Sequence, residues 1–279
     1  MTPEPFGARL RRAMDTRGPL CVGIDPHASL LTAWGLNDDI AGLERFTLTV
    51  VEALADRVAV LKPQSAFFER FGSRGIAVLE KAVEESRAAG ALVLMDAKRG
   101  DIGSTMGAYA ATYLDEGSPL FSDALTVSPY LGFGSLRPAL DAAVLSGSGV
   151  FVLGLTSNPE GAEVQRATAA DGRSLAQLML DHVAAENEGV TPLGSVGAVI
   201  GATLGDAGVN LAVNGPLLAP GIGAQGATPA DLPGVFGAAV GNVLPSVSRG
   251  VLRHGPDASG LREAADRLTD EVRAAVPAS

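Results

Sequence analysis

The chain reads as an α/β protein of one domain, a (β/α)8 TIM barrel. Two observations predict this. Eight short runs rich in Val, Leu and Ile, each closed by turn residues, have the continuous hydrophobicity of strands buried on both faces of a parallel sheet. Amphipathic runs alternate with them, and eight such repeats in about 260 residues match the barrel's usual size. No linker or low-complexity stretch breaks the alternation. A doubly wound open sheet shows the same alternation and stays open at this level.

The first 18 residues, MTPEPFGARLRRAMDTRG, read as an amphipathic helical extension ahead of a barrel at 19–279. They lack an apolar signal-peptide core and contain Asp and Glu. The first strand is predicted at Leu20–Pro26 (LCVGIDP), the next at Val58–Pro63 (VAVLKP), with helical spacing over Leu43–Arg57 between them. Gly75–Ala89 puts Glu80, Lys81, Glu84 and Glu85 on an outer helix face before the strand Ala91–Ala97 (ALVLMDA). A helix at Ile102–Leu114 leads to the strand Ala124–Ser128 (ALTVS), and one at Leu136–Leu145 to Val150–Thr156 (VFVLGLT). A helix at Ser174–Glu188 precedes the strand Val196–Ala202 (VGAVIGA). The segment near 204–215 is too glycine-rich for a helix. Strands at Leu217–Gly221 (LLAPG) and Val243–Ser248 (VLPSVS) and a helix at Leu261–Val276 complete the pattern.

Composition removes several function classes. The 279 residues carry a net charge of −10, which argues against a duplex nucleic-acid binder with its usual basic face. Cys21 is the single cysteine, so neither an internal disulfide framework nor a multi-cysteine metal site is available. CxxC, HExxH and P-loop motifs are missing, and His27, His182 and His254 have no metal-ligand spacing. Residues 189–248 carry only Asp206 and Asp231 as charges, but glycine, proline and asparagine break the run too often for a membrane span. A soluble, cytoplasmic protein without nucleic-acid or membrane partners is expected.

In a barrel the active site forms at the C-terminal ends of the strands, which directs attention to Asp25, Lys62, Asp96, Lys98, Ser128, Ser157 and the loop at 220–226. The chain has three lysines, Lys62, Lys81 and Lys98, against 18 arginines, and two of the three end apolar strands, where an unpaired ammonium is costly. Asp96-Ala97-Lys98-Arg99-Gly100-Asp101 is the central motif. Residues two apart on a strand share a face, so Asp96 and Lys98 both project into the barrel mouth. Asp101 follows where a helix begins. Flanking carboxylates favour a protonated Lys98, a poised proton donor; a structural ion-pair network would use the same spacing. Pro220-Gly221-Ile222-Gly223-Ala224-Gln225-Gly226 fits GxGxxG, but without a following helix or a later acidic partner it reads as a phosphate-gripping loop or a plain turn rather than a dinucleotide fingerprint. Trp34 and Cys21 read as packing.

Asp25 in VGIDP, Lys62 in LKPQ, the DAKRGDI core with Thr105 behind it, and PGIGAQG followed by SRG together resemble orotidine 5'-phosphate decarboxylase, and within it the larger bacterial subfamily often called type 2. The resemblance spans residues 20 to 253. It implies a cofactor-free, metal-free decarboxylation of orotidine 5'-monophosphate to uridine 5'-monophosphate in pyrimidine biosynthesis. It assigns Asp25 and Lys62 to the ribose hydroxyls, Asp96 to the neighbourhood of the substrate carboxylate, and the protonation of C6 to Lys98. Asp101 and Thr105, with Ile102 beside them, would enter from a partner subunit, so a homodimer with shared sites is implied. Ser157 would meet the pyrimidine. Gln225 and Arg249 would hold the phosphate, with Pro220 and the backbone near Gly223 and Ser248 lining that end. Magnesium-dependent phosphosugar decarboxylases and aldol-type synthases of the same suprafamily are the alternative, together with a non-catalytic phosphometabolite-binding barrel. A lysine at position 62 cannot ligate magnesium well, and a Schiff-base aldolase would need a neutral Lys98.

Overall fold

The computed structural model describes residues 3–223 and 226–276. Among them eight parallel strands pair in sequence order and close on themselves: β1 (Cys21–Ile24), β2 (Val60–Pro63), β3 (Leu92–Arg99), β4 (Ala124–Val127), β5 (Gly149–Leu155), β6 (Val196–Ile200), β7 (Leu217–Pro220) and β8 (Val243–Val247), with β8 back against β1. The closed barrel removes the open-sheet alternative. Burial of the strands on both faces explains why they read as unbroken hydrophobic runs.

Around the barrel run α1 (Phe6–Arg17), α2 (Ala28–Ala33), α3 (Ile40–Leu54), α4 (Ser65–Glu69), α5 (Gly72–Ala88), α6 (Gly103–Leu114), α7 (Arg137–Ser146), α8 (Ala162–Gln165), α9 (Leu175–Glu186), α10 (Leu232–Phe236), α11 (Arg249–Leu252) and α12 (Ala258–Ala275). Side chains cap two of the long ones: Asp39 accepts from the Gly42 N–H at the start of α3, and Ser174 from the Gln177 N–H at the start of α9. Between β6 and β7 no helix forms among the described residues. Side chains satisfy the backbone instead: Asp206 accepts from the Gly208 N–H, and Asn214 donates to the carbonyls of Asn187 and Val190. No described helix is long and apolar enough to cross a membrane.

The core has two parts. The larger fills the space between strands and helices, and includes Trp34, whose indole N–H donates to the Leu252 carbonyl 2.9 Å away. The smaller lies inside the barrel at the N-terminal ends of the strands, where Cys21, Val60, Leu94, Phe151, Leu218 and Leu244 meet Phe6, Leu10 and Met14 of α1. The helix therefore plugs the barrel floor. Phe6 packs edge-on against Phe151 at 5.9 Å, and a Cβ at position 149 would lie 2.3 Å from the Phe6 ring, so that close approach requires Gly149. Arg9 pairs with buried Asp123 and also donates to the Gly147 carbonyl, while Arg17 reaches the carbonyls of Ala55 and Gly90. The floor is thereby tied to the loops beneath it, and the opposite face is left for chemistry.

Two irregularities shape that opposite face. On β3 the pairing with β4 passes from Met95↔Leu125 to Arg99↔Val127, so β3 advances four residues while β4 advances two. The bulge carries the strand beyond the predicted Ala97 and leaves Lys98 with a left-handed backbone, φ +48°. On β5 the register shifts between Leu153 and Leu155.

Candidate active site

Interior positions recur every second residue along a barrel strand. Above the apolar floor the same columns turn polar: Asp25 above Cys21 and Gly23, Lys62 and Gln64 above Val60, Asp96 and Lys98 above Leu94, Thr126 above Ala124, and Ser246 and Ser248 above Leu244. Together with His27, Phe67, Leu153, Thr156, Pro220, Ile222 and Arg249 they line a cavity of about 470 Å³, within the usual range for a small-molecule site.

At its centre one carboxylate holds two ammonium groups. Asp96 Oδ2 accepts from Lys62 Nζ at 2.8 Å, and Asp96 Oδ1 from Lys98 Nζ at 2.6 Å. The Thr126 hydroxyl also donates to Asp96 Oδ1, at 2.9 Å, and accepts from the Lys98 N–H at 3.0 Å. Gln64 Oε1 lies 3.5 Å from Lys98 Nζ. The side chains of Lys62 and Asp96 are each 8% exposed and that of Lys98 is 44% exposed, so the inner pair is fixed and the outer ammonium faces the opening. Burial works against both inner charges. For Lys62 the carboxylates of Asp96 and Asp25 outweigh it and hold the ammonium above its ordinary range. For Asp96 the lysines outweigh it and hold the carboxyl well below the ordinary carboxylate range. Burial pushes the Cys21 thiol up to about 12, so it remains a neutral core group.

Two polar atoms at the mouth have no hydrogen-bond partner among the described residues although both are buried: Asp25 Oδ1 and Ser248 Oγ. Both side chains lean over Gly23, where a Cβ would come within 3.0 Å of Asp25 Oδ2 and of the Ser248 Cβ. They present a carboxylate and a hydroxyl to whatever enters. Arg249 follows immediately and opens α11.

The structure brings together Asp25, Lys62, Asp96, Lys98, Pro220, Ser248 and Arg249. It sets others apart. Asp101 accepts from the Ile102 N–H at 2.8 Å and, among the described residues, makes no ion pair with Lys98; only Asp96 pairs with that lysine inside one chain. Ile102 is 62% exposed, and Thr105 is exposed with it on the rim. Ser157 is exposed outside the cavity, and Thr156 takes its place in the lining. The cause is the β5 register shift, which moves the inward parity by one residue beyond Leu153. Gln165 holds Thr156 there, accepting from its N–H at 2.8 Å and donating to its hydroxyl at 2.7 Å. The Gly223 N–H is engaged with the Ala227 carbonyl, so the loop's own turn uses that donor. Gln225 lies outside the described residues. Arg99 pairs with Glu69, the Tyr109 ring and the Tyr113 hydroxyl rather than with the cavity, and His182 stacks on Phe133.

Sequence reasoning missed Gln64, Thr126, Thr156 and Ser246. Three of them stand two residues from a recognised or core interior position, so strict period-2 counting from Lys62, Ala124 and Leu244 finds them. Thr156 was hidden by the bulge.

The family described as Orotidine 5'-phosphate decarboxylase / HUMPS matches residues 18–264. An orotidine 5'-phosphate decarboxylase from Streptomyces coelicolor is 76% identical over 99% of this chain and 100% of its own, and one from Corynebacterium efficiens is 52% identical over 96% and 97%. A crystal structure from Streptomyces avermitilis, provisionally assigned that same activity, superposes with a TM-score of 0.97 at 75% identity, covering 99% of this chain and 97% of its own. The Leishmania donovani OMP decarboxylase superposes with a TM-score of 0.78 at 32% identity, covering 99% of both chains.

Proposed function

The chain belongs to the orotidine 5'-phosphate decarboxylase / HUMPS family, and on that premise we propose that it decarboxylates orotidine 5'-monophosphate to uridine 5'-monophosphate as a cytoplasmic homodimer in pyrimidine biosynthesis, without a cofactor. The observation that carries the reading is the pair of lysines on one buried carboxylate. Breaking the C6–carboxylate bond releases carbon dioxide and leaves the bonding electron pair on C6. A fixed cation beside that atom stabilises the pair, and the ammonium of Lys98 is held for this before any substrate arrives. Its N–H bond then breaks as C6–H forms. Lys98 is left as a neutral amine that recovers its proton from water through the cavity opening, where the side chain is 44% exposed. Asp96 would lie beside the substrate carboxylate, and its charge favours departure of that group, although stabilisation of the developing carbanion is the larger effect.

The remaining lining supports the rest of the substrate. The orphaned Asp25 carboxylate and Lys62 suit ribose hydroxyls. Arg249 and the Ser248 hydroxyl suit the phosphate, and the resemblance adds Gln225 to them. Thr156 and Ser157 suit the pyrimidine edge. Lys62 also argues against the magnesium-dependent relatives, since a charged ammonium has no lone pair to offer a cation. The dimer is supported by an apolar rim beside the site: Ile102 is 62% and Tyr130 77% exposed, with Leu131 next to them, at the ends of the adjacent strands β3 and β4. Asp101 and Thr105 lie along that rim and would complete a partner's site.

The test is loss of the orotate absorbance with purified protein, orotidine 5'-monophosphate and excess chelator, with Lys98→Ala alongside. Turnover by the wild type that survives the chelator and disappears in the variant is expected. A folded wild type without turnover would overturn the assignment.

A further inference from the structure

Lys98 reaches Asp96 from a backbone conformation that L-residues with a side chain seldom adopt, φ +48°. It does so inside the bulge, where the pairing of β3 with β4 passes from Met95↔Leu125 directly to Arg99↔Val127. Asp96, Ala97 and Lys98 therefore have no register partner on β4, and the Lys98 N–H is taken by a side chain instead. Thr126 is the single β4 residue between the two ends of the bulge, it is 1% exposed, and it is the only polar residue of its strand.

Its hydroxyl has one proton and can only be arranged one way. The Lys98 N–H can only donate, so it uses a lone pair of Oγ1; the ionised Asp96 can only accept, so the hydroxyl proton goes to Oδ1. One side chain thus fixes both the backbone that carries the proton donor and the carboxylate that holds it. Resting on the decarboxylase reading above, we propose that Thr126 is a positioning residue that aims Lys98 at the reacting carbon. It also gives Asp96 a second donor on Oδ1 that remains when Lys98 has surrendered its proton. The other oxygen keeps Lys62, so the carboxylate passes through the proton transfer without itself needing a proton. Thr126 is needed in this account for the reaction and not for holding the nucleotide, whose proposed ribose and phosphate partners stand at the ends of β1, β2, β7 and β8.

Thr126→Val keeps the shape and removes the hydroxyl, and Thr126→Ser keeps the hydroxyl. The valine variant is expected to lower kcat about 10- to 100-fold, the loss expected of one hydrogen bond to a charged group. KM and the affinity for uridine 5'-monophosphate should stay within about twofold, as for an interaction used only in the transition state. Serine should restore most of the rate. The chain has only three lysines, so a 15N spectrum of the lysine Nζ groups in the unliganded protein gives a readout independent of turnover. The Lys98 signal should move in the valine variant, while that of Lys81, on the far surface beside Glu44, should not. A valine variant with the wild-type kcat, an equal loss of nucleotide affinity, or an unmoved Lys98 signal would each overturn the proposal. Should valine prevent folding, Thr126→Ala removes the same hydroxyl and is read in the same way. Absence of turnover in the wild type would refute the decarboxylase reading, and the Nζ comparison would still decide whether Thr126 aims Lys98.

Discussion

Replacing Asp96 by Asn keeps the size of the side chain and removes the one negative charge that faces both lysines. The Lys62 contact is 2.8 Å long, which at an effective dielectric constant near 20 corresponds to about 6 kcal/mol of gross attraction. Much of that is spent on dehydrating the two groups, so the net worth of the pair is small. The substitution does not return that dehydration cost, however, because Lys62 stays buried with its charge. Losing one partner of a buried pair costs about 3–5 kcal/mol, and Asp25, which still favours the Lys62 ammonium, puts the expectation at the lower end. At about 2–4 °C per kcal/mol for a chain of this order of size, Tm should fall by roughly 6–12 °C.

The pH dependence follows from the same charges. The Asp96 carboxyl is held below its ordinary range in the folded state. Its contribution is therefore complete above the unfolded-state value of about 3.9 and is lost as pH falls below it, toward the lower folded-state value. Lys62 is held above its ordinary range, so its contribution is complete below about 10.4 and is lost only at higher pH. Urea unfolding followed by circular dichroism from pH 3 to 8, with stability extrapolated to water, should show a steep acid limb in the wild type that is shallower in Asp96→Asn. The double variant Asp96→Asn with Lys62→Met should recover stability without activity, since an apolar replacement no longer carries a buried charge. A single variant within about 1 kcal/mol of the wild type at pH 7, with the acid limb unchanged, would refute the reasoning.

The plug predicts the opposite separation. Phe6→Ala should cost about 3–5 kcal/mol, the usual price of emptying a buried aromatic site, while kcat/KM at 25 °C stays unchanged, because Phe6 lies at the floor and the charges lie at the mouth; a drop in kcat/KM for folded protein would contradict that division. For the shared site, mixing Asp96→Ala and Asp101→Ala chains under confirmed subunit exchange should restore about one quarter of the wild-type sites, since half of the dimers are mixed and each of these has one intact site. Continued inactivity of the mixture would show that Asp101 does not serve a partner.

Much of the fold was legible because a closed parallel barrel buries its strands on both faces. All eight hydrophobic runs found their strands, with every end within two residues of its predicted place. The inner columns were legible where the strand was regular, as for Asp25, Lys62 and Asp96. They were not legible where one strand gains residues on its neighbour. At β5 the shift handed the inward position to Thr156 and left Ser157 exposed beside it. At β3 two extra residues left the parity intact, so Lys98 was correctly placed facing inward, but nothing in the spacing revealed its left-handed backbone or the threonine that holds it. Composition was equally silent on the extension: the helical pattern of residues 6–17 says that one face is apolar, and not that the face fits a barrel's floor beneath Gly149.

These two ends explain each other. A barrel interior that carried Lys62 and Asp96 over a wet floor would let water screen them and weaken the field at Lys98. The floor is dry because Phe6, Leu10 and Met14 seal it against Cys21, Leu94 and Phe151, and the thiol of Cys21, pushed up to about 12 by that burial, adds no competing charge beneath Lys62. The polar layer can then rest on Asp96 and its three donors Lys62, Lys98 and Thr126, of which the two lysines differ in that Lys98 faces the opening. The helix that looks least related to the chemistry is what keeps the dielectric low under it.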